Sequence, residues 1–121
     1  MVNLRDDPAA IDAYRRYHLE VWPEVLRSLR QVGVQEMEIH LLGRRAVMIV
    51  DMADGLDYHE ALAAHTASNS RVAEWERLMR DLQEPAESAS GEERWVLMQA
   101  VFRMNEQEPA IARVAQPLRA S

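Results

Sequence analysis

Cysteine is absent from the 121 residues, which removes thiol nucleophiles, thiolate metal sites and any disulfide framework. This fits a reducing compartment, and the expected location is the cytoplasm. Lysine is absent too: all 14 basic residues are arginine, so Schiff-base chemistry at a lysine is excluded. No run approaches the roughly 20 apolar residues that a membrane span needs, and the opening MVNLRDDPAA lacks the apolar core of a signal peptide, so no membrane association is expected. With a net charge of −6 and no basic cluster longer than Arg15-Arg16 or Arg44-Arg45, the chain is not expected to bind nucleic acid. Also missing are a glycine-rich phosphate cradle, a GxSxG elbow, an HExxH pair and an acidic triad. His59 and His65 are six apart and cannot clasp one metal as an i, i+4 pair could; neither metal nor cofactor is expected, and solvated helix faces account for both histidines.

What is present is the pattern of one small domain, long enough to bury a core without staples. Only Val2, Asn3 and Leu4 can be extended before Asp7 and Pro8, an N-cap followed by a first-turn proline. Ile11, Tyr14, His18, Trp22, Val25, Leu29 and Val32 then recur at spacings of three and four, the stripe of an amphipathic helix. Pro23 interrupts it, so two helices or one kinked helix should meet at Trp22-Pro23, with Gly33 as the C-cap of the second. Residues 34–42 alternate, with Gln35, Met37, Ile39 and Leu41 facing one way and Val34, Glu36, Glu38 and His40 the other. After a turn at Gly43-Arg44, residues 46–52 are apolar on both faces until Asp51, as in a strand covered on both sides. Helices are expected over 58–67 and 71–82, the second with Val72, Trp75, Leu78, Met79 and Leu82 inward. A polar loop over 85–93 precedes a last strand, WVLMQAVF, at 95–102.

The order (β)αββα(α)β specifies an α+β fold: a ferredoxin-like split βαβ with an antiparallel sheet and helices on one face. The other sheet face is left open. A strand as apolar as 46–52 needs cover there, and a second copy is the simplest cover, giving a homodimer of the dimeric α/β barrel kind. Residues 1–104 form the single domain; residues 105–121 are a mobile tail or an arm onto a partner subunit. The short first strand leaves a vacant edge, and an element of the partner could pair there.

Few polar residues are placed to do chemistry. Tyr14 and His18, four apart, share one helix face, and a partly buried imidazole beside a phenol can pass a proton near pH 7; equally, His18 can border the core with one nitrogen bonded and one wet. Trp22 reads as a packed hinge. Met37 belongs to the floor of any cavity lined by Tyr14 and His18, while His40, with Glu36 and Glu38, points to the presumed dimer surface. Glu20 is a surface position and Glu24 a first-turn capping residue that could reach into a site. A tyrosine, a histidine and tryptophans suit a small neutral ring bearing hydroxyls, because aromatic faces take the C–H side of a sugar while polar tips hold its oxygens.

YRRYH, then VWPEV, then Gly33 before a strand, then EWERLM and the closing WV-x-M-x-x-V-F resemble the L-rhamnose mutarotase family over roughly residues 6–104. Members are small cofactor-free enzymes that interconvert the α and β anomers of 6-deoxy sugars, with a ferredoxin-like fold and dimers formed across their sheets. The resemblance implies that His18 is the catalytic proton donor, and that Tyr14 and Trp75 bind the substrate. It also marks two departures. Glu76 stands where the rhamnose enzyme has a second tryptophan, and Met37 where it has a substrate-binding tyrosine, so the choice between L-rhamnose and L-fucose stays open. The base is Glu76, Glu24 or water. Two rival readings share the fold: a cofactor-independent monooxygenase of the dimeric α+β barrel type, with a large apolar cavity, and a non-enzymatic metabolite-binding dimer that would keep Tyr14 and Trp75 but tolerate loss of His18.

Overall fold

The computed structural model describes residues 1–87 and 93–107. Its organising element is a hairpin of β2 (Val34–Leu42) and β3 (Arg45–Met52), joined by the two-residue loop Gly43-Arg44. Gly43 has φ +61°, at the first loop position where tight hairpins need a positive φ. β1 (Val2–Asn3) pairs with the other edge of β3, so the antiparallel sheet runs β1-β3-β2. On its inner face the cross-strand pairs are Leu41 with Ala46, Ile39 with Met48, Met37 with Val50 and Val34 with Met52. Strict alternation cannot bring Val34 to the side of Met37. A bulge between Val34 and Glu36 shifts the register by one, and Val34 is buried as a result.

α1 (Pro8–Tyr17) starts where expected, Asp7 accepting from the Ala9 backbone N–H at 3.0 Å. Two helices do replace the continuous stripe, but α1 stops at Tyr17 and α2 (Pro23–Gln31) begins at Pro23, so the break is five residues wide rather than a kink. Trp22 before the proline is forced out of the helical region, at ψ 135°. α3 (Tyr58–Thr66) and α4 (Ser70–Leu82) are capped by Asp57 and Asn69, which accept from Glu60 N and Val72 N. Leu4, Tyr14, Val25, Val72, Trp75 and Met79 form the buried cluster between helices and sheet, with Ile39 and Leu41 packed against it.

The expected last strand is the main departure. Among the described residues, 95–102 form no ladder and meet the N-terminal edge through one reciprocal pair, Val96 N–H to Met1 C=O at 2.8 Å and the Met1 ammonium to Val96 C=O at 2.6 Å. The physical reason is that β1 is two residues long and offers nothing further to pair with. Beyond this point lies α5 (Met104–Gln107), a single turn. The middle of the expected 85–93 loop and most of the expected 105–121 tail lie outside the described residues. The outer face of the sheet, with Val47, Ile49, His40 and Glu38, is uncovered by this chain's described residues, and Ile49 is 51% exposed.

Candidate functional site

His18 is positioned by the end of α1. It is the C-cap residue, and the Tyr14 carbonyl accepts both its backbone N–H, at 3.4 Å, and its ring Nδ1–H, at 2.7 Å. That carbonyl can only accept, so Nδ1 carries a hydrogen and Nε2 is the nitrogen left for a ligand. The spacing of four works as a stack: the Tyr14 and His18 rings lie 4.5 Å apart, tilted by 41°. Trp75 from α4 meets the His18 ring edge-on at 5.5 Å and packs likewise on Tyr17 and Trp22. It is 4% exposed, so most of its surface serves the core and only part is left for the cavity. Trp22 keeps its hinge role, clamped from outside by the Arg71 guanidinium 3.6 Å above its ring.

These side chains line a cavity of about 540 Å³ that opens between the helices and the inner sheet face. Tyr14, His18 and Trp75 are all on its wall, with Met37 and Ile39 in its floor, as the strand alternation implied, and Met48 beside them. Its polar wall includes the expected Glu76 and is richer than expected, since Tyr58, His65 and Gln83 also contribute. Glu76, not Glu24, is the open base candidate that reaches it; Glu24 instead turns toward Arg71, 4.0 Å away.

Burial pushes the Tyr14 phenol up to about 12, the nearby Glu76 adding to the shift and a hydrogen bond with Gln83 opposing it. Tyr58 is raised by the same two causes, burial first and Glu76 second. Both are therefore neutral hydroxyls at any ordinary pH, suited to hold oxygens rather than to take protons.

His65 is buried rather than solvated. It is 1% exposed, its Nδ1 2.7 Å from Ser28 Oγ and its Nε2 3.4 Å from Glu76 Oε1. The signal was in the sequence: Tyr58, Ala61, Leu62 and His65 fall at i, i+3, i+4 and i+7, one inward helical stripe. His59 and His40 are exposed, His40 lying 3.5 Å from Glu38 on the outer sheet face. Among the described residues no group of three or more His, Cys, Asp or Glu is arranged to hold a metal, and no helix is long and apolar enough to cross a membrane.

A ferredoxin-like α+β domain with histidines, tyrosines and a carboxylate on the wall of an aromatic-rich cavity is the class of protein these features define. Comparison with known proteins makes it particular. The family model for L-rhamnose mutarotase matches residues 1–104, and the chain belongs to that family. An L-fucose mutarotase of Xanthomonas campestris pv. campestris is 39% identical over 109 residues, covering 88% of this chain and 86% of the relative. A UPF0734 protein of Dictyostelium discoideum is 31% identical over 83 residues, 69% of this chain and 66% of the relative. The chain is thus a sugar mutarotase, an isomerase acting on carbohydrates, which displaces both the monooxygenase and the non-enzymatic readings.

Proposed function

We propose that this enzyme interconverts the α and β anomers of a 6-deoxy-L-sugar, L-rhamnose or L-fucose, by acid–base ring opening without a cofactor. His18 protonates the ring oxygen, Tyr14 holds a hydroxyl through its neutral phenol, and Trp75 offers what remains of its ring to the C–H side of the sugar. The observation that carries this reading is the His18 ring itself. Its Nδ1 is committed to the Tyr14 carbonyl, so Nε2 is the nitrogen turned to ligand in the cavity shared with Tyr14 and Trp75. A volume of about 540 Å³ also falls within the roughly 300–1,000 Å³ of small-molecule sites. The 39% identity to a protein named L-fucose mutarotase, together with Met37 and Glu76 at sugar-facing positions, favours L-fucose over L-rhamnose.

The test is anomer exchange followed by saturation-transfer NMR on L-fucose and L-rhamnose. Wild type should accelerate exchange, and His18→Ala should lower the rate by about 10²–10⁴-fold, the usual contribution of a general acid. A variant within a few fold of wild type would remove His18 from the mechanism.

The working unit of this proposal is a homodimer, with residues 1–104 as the folded domain and the residues beyond as an arm toward the partner. Its support is an apolar segment with too little of its own sheet to join: Leu97, Met98, Val101 and Phe102 are each more than 60% exposed.

A further inference from the structure

Ring opening needs a base for the anomeric hydroxyl as well as an acid for the ring oxygen, and His18 supplies only one of the two at a time. The second group is legible in a chain of contacts behind the cavity wall. Ser68 Oγ lies 2.7 Å from the His65 carbonyl, which can only accept, so Ser68 donates its single proton there. In the 2.9 Å contact between Ser28 Oγ and Ser68 Oγ, Ser28 must then be the donor. Having spent its proton, Ser28 can only accept from His65 Nδ1 at 2.7 Å, so Nδ1 carries a hydrogen. The remaining nitrogen, Nε2, faces Glu76 Oε1 at 3.4 Å. Two lone pairs would meet there unless one proton sits between imidazole and carboxylate.

We propose that Glu76 is the catalytic base of anomer exchange and that His65, seated by Ser28 and Ser68, is its positioning residue. This rests on the mutarotase reading above. Oε1 is tied to a side chain that is 1% exposed, which leaves Oε2 for the cavity that Glu76 lines. The other groups on that wall are unsuited to the task. Tyr14 and Tyr58 stay neutral, and Glu36 on the β2 bulge is exposed to solvent, with only the neighbouring Met37 backbone N–H to hold it.

The step balances without any co-reactant. Glu76 Oε2 takes the hydrogen of the anomeric hydroxyl, that oxygen's electron pair closes the aldehyde, and the C1–ring-oxygen bond breaks. Its electrons go to the ring oxygen, which takes the Nε2 proton of His18 in its imidazolium form, leaving the neutral Nδ1–H ring. After rotation about C1–C2 the steps reverse on the other carbonyl face: His18 recovers its proton, Glu76 returns the hydrogen to the new anomeric oxygen, and both groups regain their starting states.

Two measurements on the full-length protein test this. In Glu76→Gln, kcat should fall by about 10²-fold or more with KM within about threefold and the urea midpoint unchanged; His65→Gln should lower kcat while sparing KM in the same way. A Glu76→Gln rate within threefold of wild type overturns the proposal, and if His18→Ala is inactive in the same assay, the mutarotase reading survives that failure. The second readout needs no turnover: long-range ¹H–¹⁵N spectra of the wild-type imidazoles should find His65 protonated at Nδ1 with a further proton at or shared by Nε2, and Glu76→Gln should convert it to the neutral Nδ1–H form. A wild-type His65 in the neutral Nε2–H form overturns the relay whatever the sugar result.

Discussion

Tyr14 has two duties that separate by pH. Its phenol is 4% exposed, part of the buried cluster with Trp75 and Met79, and it also forms cavity wall. Burial holds its folded pKa near 12 against an unfolded value near 10. Because the folded pKa is the higher, the unfolded chain loses its proton first, so this contribution to stability is whole below pH 10 and is lost as pH rises through 12. A shift of two units corresponds to at most about 2–3 kcal/mol. Urea unfolding between pH 9 and 12 should show that decline in wild type and a flatter profile in Tyr14→Phe. The same scale explains what could be read in advance. That Tyr14, His18 and Trp75 share one cavity wall was legible from helical spacing together with the resemblance; the inward stripe could give the burial of His65 but not its partners, because a histidine on a short helix of small residues gives no sign of the serines, 37 residues upstream and three downstream, that bond it.

At the scale of elements, turn chemistry carried the reading. Asp7-Pro8, Trp22-Pro23 and Gly43-Arg44 each act through a local backbone constraint, and each falls where the sequence set it. The five-residue gap before Pro23 was hidden because the apolar stripe continues across it: His18 and Trp22 still face the core, one as the cap of α1 and the other as the cap of α2. The bulge in β2 was hidden for a related reason, since a period of two says nothing about a single extra residue. Gly33 makes the junction between α2 and β2, and so fixes where Ser28 stands relative to the strand. Its φ is +102°, its carbonyl accepts from Ala53 N at 2.9 Å, and an added Cβ would fall 2.1 Å from Leu56 Cδ1. Leu56 is half-exposed and its tip can swing away, so the backbone strain should dominate. Gly33→Ala is expected to cost about 1–2 kcal/mol in urea unfolding, whereas a change below about 0.3 kcal/mol would mean that the junction relaxes elsewhere.

For the whole molecule, the segment after Arg94 carries the argument. WVLMQAVF has the composition of a buried strand, yet after the reciprocal Met1–Val96 pair it joins no strand among the described residues, and Leu97, Met98, Val101 and Phe102 alternate along both of its faces in the open. Each such side chain left in water forgoes on the order of 1.5–3 kcal/mol of burial, a cost that the described residues of one chain do not recover. A second copy has both remedies: an unpaired edge for the strand, and an outer sheet face carrying Val47 and Ile49 to cover its side chains. Trp95 ties this to function, because it opens the segment and also lines the sugar cavity. Light scattering should therefore give twice the 13.9 kDa of one chain. Replacing Val101 and Phe102 together by Asp should shift the protein to the monomer and raise the KM for the sugar by loosening Trp95, with His18 and Glu76 untouched. A wild-type monomer that is monodisperse at micromolar concentration would defeat the dimer. A dimer unmoved by the double substitution would defeat this segment's part in it.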